Sequence, residues 1–231
     1  MDSTIHGDWK DTLDALEKNL IRVQNPSRAR SMRRYMKEKF DYYGISSPQR
    51  KILLAPYKKQ LLQQIDASHL SDVLFACWEY EQREWQYIGL EMIWSARKYW
   101  TDDTIELIER LIVSKSWWDT VDMLAGKVSG AWFVRFPETR YHRVRSWIQS
   151  DHMWLQRSAI IHQLGYKQNT DKDLLLESIK PHVPSKEFFL RKAIGWALRQ
   201  YSRTDPEWVS RVAQTYPLSA LSRKEALRLI E

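Results

Sequence analysis

Three short stretches carry side chains whose types and spacing could do chemistry. In residues 116–128, Trp118 and Asp122 stand at i and i+4, so an indole and a carboxylate share one side of a helix, beside an apolar stripe of Trp117, Val121, Leu124 and Val128. Such a carboxylate offers a fixed negative charge and a proton acceptor. Taken alone, the pair fits as well a second core tryptophan with a surface acid, or an acid that partners an arginine of the next repeat. Arg157 has Met153, Ile160 and Ile161 as its i−4, i+3 and i+4 neighbours. A guanidinium in that setting must find an acid or a phosphate, because burying it unpaired is costly. Asp119 or Asp122 could serve as the acid, and the planar fork also suits bidentate contact with a phosphate. Lys192, Trp196, Arg199 and Arg203 follow at i, i+4, i+7 and i+11, while Leu190, Ile194, Ala197, Leu198 and Tyr201 supply a separate core stripe. A tryptophan projecting from a line of cations suits a surface that meets a phosphate backbone and stacks on a sugar or base.

These residues need elements that bring them together. Period-3.6 apolar segments recur along the chain and no alternating strand pattern appears, so the expected class is all-α. Gly and Pro contribute only 7 and 8 of 231 residues, which also argues against an all-β fold rich in tight turns. Helices pair at about 70–80 with 84–99, 102–113 with 116–134, 138–149 with 152–165, 171–182 with 186–202, and 205–216 with 222–231. The second members begin near Glu84, Ser116, His152, Lys186 and Ser222, a spacing of 32 to 36 residues that points to a superhelical solenoid of stacked antiparallel helix pairs. Thr101, Ser185 and Ser222 are the expected N-caps, and Pro206 suits a first helical turn. Breaks at Pro26, Pro48 and Pro56 predict short helices early in the chain, and Pro181 and Pro184 mark further breaks. The expected organisation is one repeat domain over 1–231, with irregular helices over 1–67 and about five pairs over 68–231. Successive second helices would then bring Trp118, Asp122, Arg157 and Trp196 to one part of a groove.

Charge adds a partner. The chain carries +7, and between Arg22 and Lys59 eleven basic residues face only Glu38 and Asp41, leaving that segment at +9 and the remainder at −2. Interleaved with Tyr35, Tyr42, Tyr43 and Tyr57, this block is a candidate footprint for nucleic acid phosphates, with a solvated basic face as the competing account. Other chemistries find little support. A single cysteine, Cys77 in an apolar run, excludes a disulfide framework, a four-cysteine zinc site and an iron–sulfur cluster supplied by this chain, and it fits a core position in a reducing compartment. His142, His152 and His162 stand ten apart and share no helix face, and Gly126 and Gly130 form no phosphate-cradling loop because no strand precedes them. No metal or cofactor is expected. Met1 to Lys10 has no apolar run, and no window approaches the roughly 18 apolar residues of a membrane span, so a soluble, non-exported protein is expected.

With those residues in view, the chain resembles the DNA alkylation repair glycosylases built from HEAT-like repeats, the AlkD-like enzymes. The resemblance rests on Tyr35-Met36-Lys37, on Ser116-Trp117-Trp118-Asp119-Thr120-Val121-Asp122, on Gln156-Arg157, and on Ile194-Gly195-Trp196-Ala197-Leu198-Arg199 with Tyr201-Ser202. It covers nearly the whole chain. It implies that Asp122 is the catalytic carboxylate, that Trp118 and Trp196 flank the lesion nucleotide, and that Arg157 and Tyr35 contact DNA. Lys192, Arg199 and Arg203 would meet phosphates. The implied activity is hydrolysis of the N-glycosidic bond of cationic alkylated purines, N3-alkyladenine and N7-alkylguanine, in double-stranded DNA, leaving an abasic site. The implied protein is a cytoplasmic, nucleoid-associated monomer without a cofactor, and the open groove would need no enclosing pocket. The alternative is a non-catalytic HEAT-type scaffold for DNA or protein, in which Asp122 and Arg157 merely tie repeats together.

Overall fold

The computed structural model describes residues 8–230, and among them the regular structure is helical, with one isolated bridge between Asp41 and Gln82. The all-α, helical-repeat expectation holds. Contacts divide the chain into two compact units, Met1–Thr101 and Asp102–Glu231.

The first unit contains α1 (Trp9–Arg22), α2 (Pro26–Tyr35), α3 (Ser47–Gln64), α4 (Ala67–Glu79) and α5 (Arg83–Ser95), closed by a 3-10 turn at Arg97–Tyr99. Asp8, Asn25 and Asp66 cap α1, α2 and α4 with their side chains. The expected break at Pro56 does not occur: α3 runs through it as one 18-residue helix. Buried Leu54 and Leu61 on either side of the proline anchor the helix, so packing outweighs the missing N–H. Glu84, fully buried, accepts the backbone N–H groups of Tyr43, Gly44 and Ile45 and thereby clasps the loop before α3 onto α5. Gly44 has φ +83°, and a Cβ there would stand 2.2 Å from the Asn25 carbonyl oxygen, so only glycine lets this loop lie against the start of α2.

The second unit holds α6 (Thr104–Val113), then α7 (Trp118–Met123), which continues through a π-helical stretch at Leu124–Ser129 into α8 (Gly130–Arg135). It goes on with α9 (Arg140–Gln149), α10 (Met153–Ile161), α11 (Lys172–Ile179), α12 (Phe188–Ser202), α13 (Pro206–Thr215) and α14 (Ala220–Leu227). All five expected pairs are present, the first of them as α4 and α5 in the other unit. Here the second members lie side by side: α10 packs on both α7 and α12, and α12 packs on α14. The core stripe of α12 is as expected, with Leu190, Ile194, Ala197, Leu198 and Tyr201 buried against α10, α11, α13 and α14. At about 1.5–3 kcal/mol for each large apolar side chain, this burial holds the stack.

The expected caps are partly displaced. Thr101 precedes α6 by three residues and Asp103 takes the cap position. Ser185 accepts the N–H of Glu187 ahead of α12, which begins at Phe188. Ser222 lies inside α14, where its hydroxyl donates to the Arg191 carbonyl, and Ser219 is the true cap. Pro206 does open α13, behind an Asp205 cap. Gly126 lies within the π stretch and Gly130 directly follows it; a Cβ at Gly130 would stand 2.6 Å from the His162 carbonyl oxygen, so that glycine serves the close approach to the end of α10.

Candidate functional site

The elements just described set six charged and aromatic side chains around one cleft. Trp118 and Asp122 come from α7, Arg157 from α10, and Lys192, Trp196 and Arg199 from α12; with Phe188 and Phe189 they line a cavity of about 260 Å³. Trp118, Asp122 and Trp196 are each half-buried. The convergence expected from consecutive second helices is therefore present within this unit.

Arg157 holds the carboxylate. Its Nε donates to Asp122 Oδ1 at 2.7 Å and its Nη2 to Oδ2 at 2.9 Å, a bidentate pair, while its Nη1 donates to the Phe189 carbonyl at 2.6 Å. The two faces of this pair differ: the Arg157 side chain is 3% exposed and that of Asp122 is 19% exposed. The guanidinium also lies 6.0 Å from the centre of the Trp196 ring and 5.9 Å from that of Phe189. Burial pushes the Asp122 carboxyl above the ordinary aspartate value; the Arg157 guanidinium pulls it back, and Asp119 adds to the rise. Each oxygen spends one acceptor direction on Arg157 and keeps another, because a carboxylate has about four lone-pair sites.

The cationic stripe of α12 is only partly as expected. Lys192 and Arg199 line the cleft with Trp196, but both are ion-paired to Glu225 of α14. Arg203 lies past the end of α12 and lines a different cleft with Lys167, Tyr201 and Thr204. Phe188 and Phe189, which escaped the sequence reading, form a wall of the cleft; Phe188 is 53% exposed, and Phe189 packs edge-on at 5.0 Å from Trp117. A signal for Phe188 existed, since it stands four residues before Lys192 and extends the same stripe by one turn.

In the first unit Tyr35 ends α2 and is 69% exposed. The interleaved tyrosines otherwise have structural places: Tyr42 and Tyr43 are buried, and Tyr57 bonds to Asn19. Arg50 likewise leaves the surface, being 7% exposed and paired with Glu91. Arg22, Arg30, Arg34, Lys51 and Lys59 remain exposed. Cys77 is fully buried, as its apolar setting implies, and burial pushes its thiol up to about 12. Among the described residues no group of three or more His, Cys, Asp or Glu side chains could hold a metal ion, and no helix is long and apolar enough to cross a membrane.

Fold and cleft together define a helical-repeat protein in which neighbouring second helices present an aromatic-walled, guanidinium-held carboxylate. Comparison with known proteins gives this class its family. A sequence profile described as DNA alkylation repair enzyme matches residues 16–230. A solved structure described as a predicted DNA alkylation repair enzyme from Enterococcus faecalis is similar with a TM-score of 0.85 and 29% identity, over 90% of this chain and 96% of that one. No curated protein gives a significant match. The chain belongs to the DNA alkylation repair enzyme family, and its role is in the repair of alkylated DNA.

Proposed function

We propose that the chain is a DNA glycosylase that hydrolyses the N-glycosidic bond of cationic alkylated purines in double-stranded DNA. The observation that carries this reading is the Asp122 carboxylate, fixed by Arg157 with its open side toward a cleft walled by Trp118 and Trp196. A purine alkylated at N3 or N7 already bears a positive charge, so it departs without protonation. As the C1′–N bond breaks, its electron pair neutralises the base and the deoxyribose becomes an oxocarbenium-like cation. Asp122 stabilises that cation through its charge and orients a water. The water oxygen bonds to C1′, and the proton it loses goes to the carboxylate. The two tryptophans pack on the nucleotide and attract cationic character through their π faces, worth about 0.5–2 kcal/mol each.

Arg157 acts in this scheme as a positioning residue more than a phosphate contact, since three of its N–H groups are spent inside the protein. Lys192 and Arg199 meet phosphates at the rim, and the exposed cations near Tyr35 offer phosphate contacts of their own in the first unit. The same bidentate pair also favours the second reading, a scaffold in which Asp122 only ties α7 to α10. A panel of duplexes differing in one base decides between them. Duplexes with N3-alkyladenine or N7-alkylguanine are expected to yield abasic sites, and duplexes with uracil or hypoxanthine are not. Absence of abasic sites from every duplex would establish the scaffold, and release of uracil or hypoxanthine would refute the charge-based mechanism while leaving a glycosylase.

A further inference from the structure

The last helix sets behind this cleft a carboxylate that no spacing in the sequence announces. Glu225 is on α14, its side chain only 8% exposed, with Oε2 accepting from Lys192 Nζ and Oε1 from Arg199 Nη1. Arg228 adds a more distant contact at 3.8 Å. The approach of the two helices is built for this: a Cβ at Gly195 would stand 2.6 Å from the Glu225 Cβ and 2.9 Å from the Ser222 carbonyl oxygen. The Ser222 hydroxyl, donating to the Arg191 carbonyl at 2.9 Å, fixes the register of α14 on α12. Gly195 immediately precedes Trp196, so the contact lies directly behind the cleft wall.

Lys192 and Arg199 are seven residues apart, about 10 Å along a helix, and without an anion between them their heads would repel and spread into solvent. Glu225 draws both to one place. It also leaves that pair of cations, counted without the more distant and largely exposed Arg228, with a net charge of one, enough to meet a single phosphodiester. A second uncompensated charge at the rim would oppose both a cationic base and the sugar cation formed as it leaves.

Resting on the glycosylase reading above, we propose that Glu225 is a positioning and charge-balancing residue. It holds Lys192 and Arg199 as a preset phosphodiester clamp, and it shields the reacting nucleotide from their combined charge. Removing this carboxylate should therefore strengthen DNA binding and slow excision, two effects of opposite sign. A purely structural prop would weaken both.

The test is Glu225→Gln in the full chain. Its affinity for undamaged duplex is expected to rise, with the slope of log affinity against log salt steeper by about one. Its single-turnover excision of N7-methylguanine at saturating protein is expected to fall about 3–7-fold, the scale of one charge acting over ~10 Å at an effective dielectric of ~30–50. Glu225→Asp, whose shortened side chain reaches one cation but not both, should show the same opposite shifts at smaller size, and it carries the test alone if the glutamine variant does not fold. Affinity and rate falling together, or neither changing, would overturn the proposal. If the parent excises nothing, the glycosylase reading fails first; a steeper salt slope in Glu225→Gln would still sustain the clamp, and an unaltered slope would overturn that too.

Discussion

Asp122→Asn removes one charge and almost no volume, and the structure says where the loss is felt. In the parent, both Asp122 oxygens accept from Arg157, whose side chain is 3% exposed. An asparagine can still accept one of these N–H groups, but its amide nitrogen then faces the other donor, and a buried guanidinium loses its counter-charge. Stripping one partner from a buried pair costs about 3–5 kcal/mol. The retained hydrogen bond and the 19% exposure of the Asp122 side chain bring the expected cost to about 2–4 kcal/mol. For a chain of this size that lowers Tm by about 4–16 °C. Loss of the charge that faces the sugar cation should independently reduce excision about 10²–10³-fold. The two losses are separated by measuring single-turnover excision well below the melting transition of the variant, and by adding Arg157→Met. The double variant has no unpaired buried charge and should regain most of the stability while excising no better than Asp122→Asn. If the double variant regains excision together with stability, Asp122 is a prop and the charge argument is wrong; a single variant that melts and excises like the parent would be equally damaging.

Two further expectations concern pH. Because burial raises the Asp122 carboxyl, the acid limb of the excision rate should lie above the ~3.9 of an exposed aspartate, and Arg157→Gln, which removes the downward pull, should move that limb to still higher pH; a limb that stays in place would show that Asp122 does not govern the rate. The burial that raises this carboxyl and the Arg157 pull that lowers it oppose each other, and only the second is lost with Arg157. His162 bears on stability: fully buried with Nδ1–H donated to the Ala159 carbonyl, it is held down to about 4, so stability is expected to be lost as pH falls from ~6.5 toward that value, by up to ~3 kcal/mol. Tm measured against pH in the parent and in His162→Gln should differ by this slope, and parallel curves would contradict it.

What was legible in the sequence follows from what local periodicity encodes. The apolar stripes of α7 and α12 fixed which side of each helix faces the core, and the near-constant repeat then placed Trp118, Asp122, Arg157 and Trp196 on neighbouring second helices. Periodicity names a face but not a partner. It left open whether Arg157 meets an acid or a phosphate, because that depends on the packing of α10 against α7. It also could not foresee that Glu225 would occupy the cations of α12, since that contact requires the close approach allowed by Gly195. Pro56 was misread for a related reason: a proline signals a broken helix locally, and only the buried leucines on both sides of it show why α3 continues.

A carboxylate already paired with a guanidinium looks at first like a poor stabiliser of a cation, since the pair is neutral. The geometry answers this through distance. Asp122 is the partner that faces the cleft and Arg157 the one behind it, so a sugar cation approaching from the cleft meets the negative end first. At ~4 Å from the carboxylate and ~8 Å from the guanidinium, with an effective dielectric of ~20, attraction exceeds repulsion by about 2 kcal/mol. An unpaired aspartate would exert a stronger field but would also turn toward water and require reorganisation as charge develops. Arg157 thus trades field strength for a carboxylate whose orientation is set before the bond breaks, which is the condition under which fixed charges accelerate a reaction.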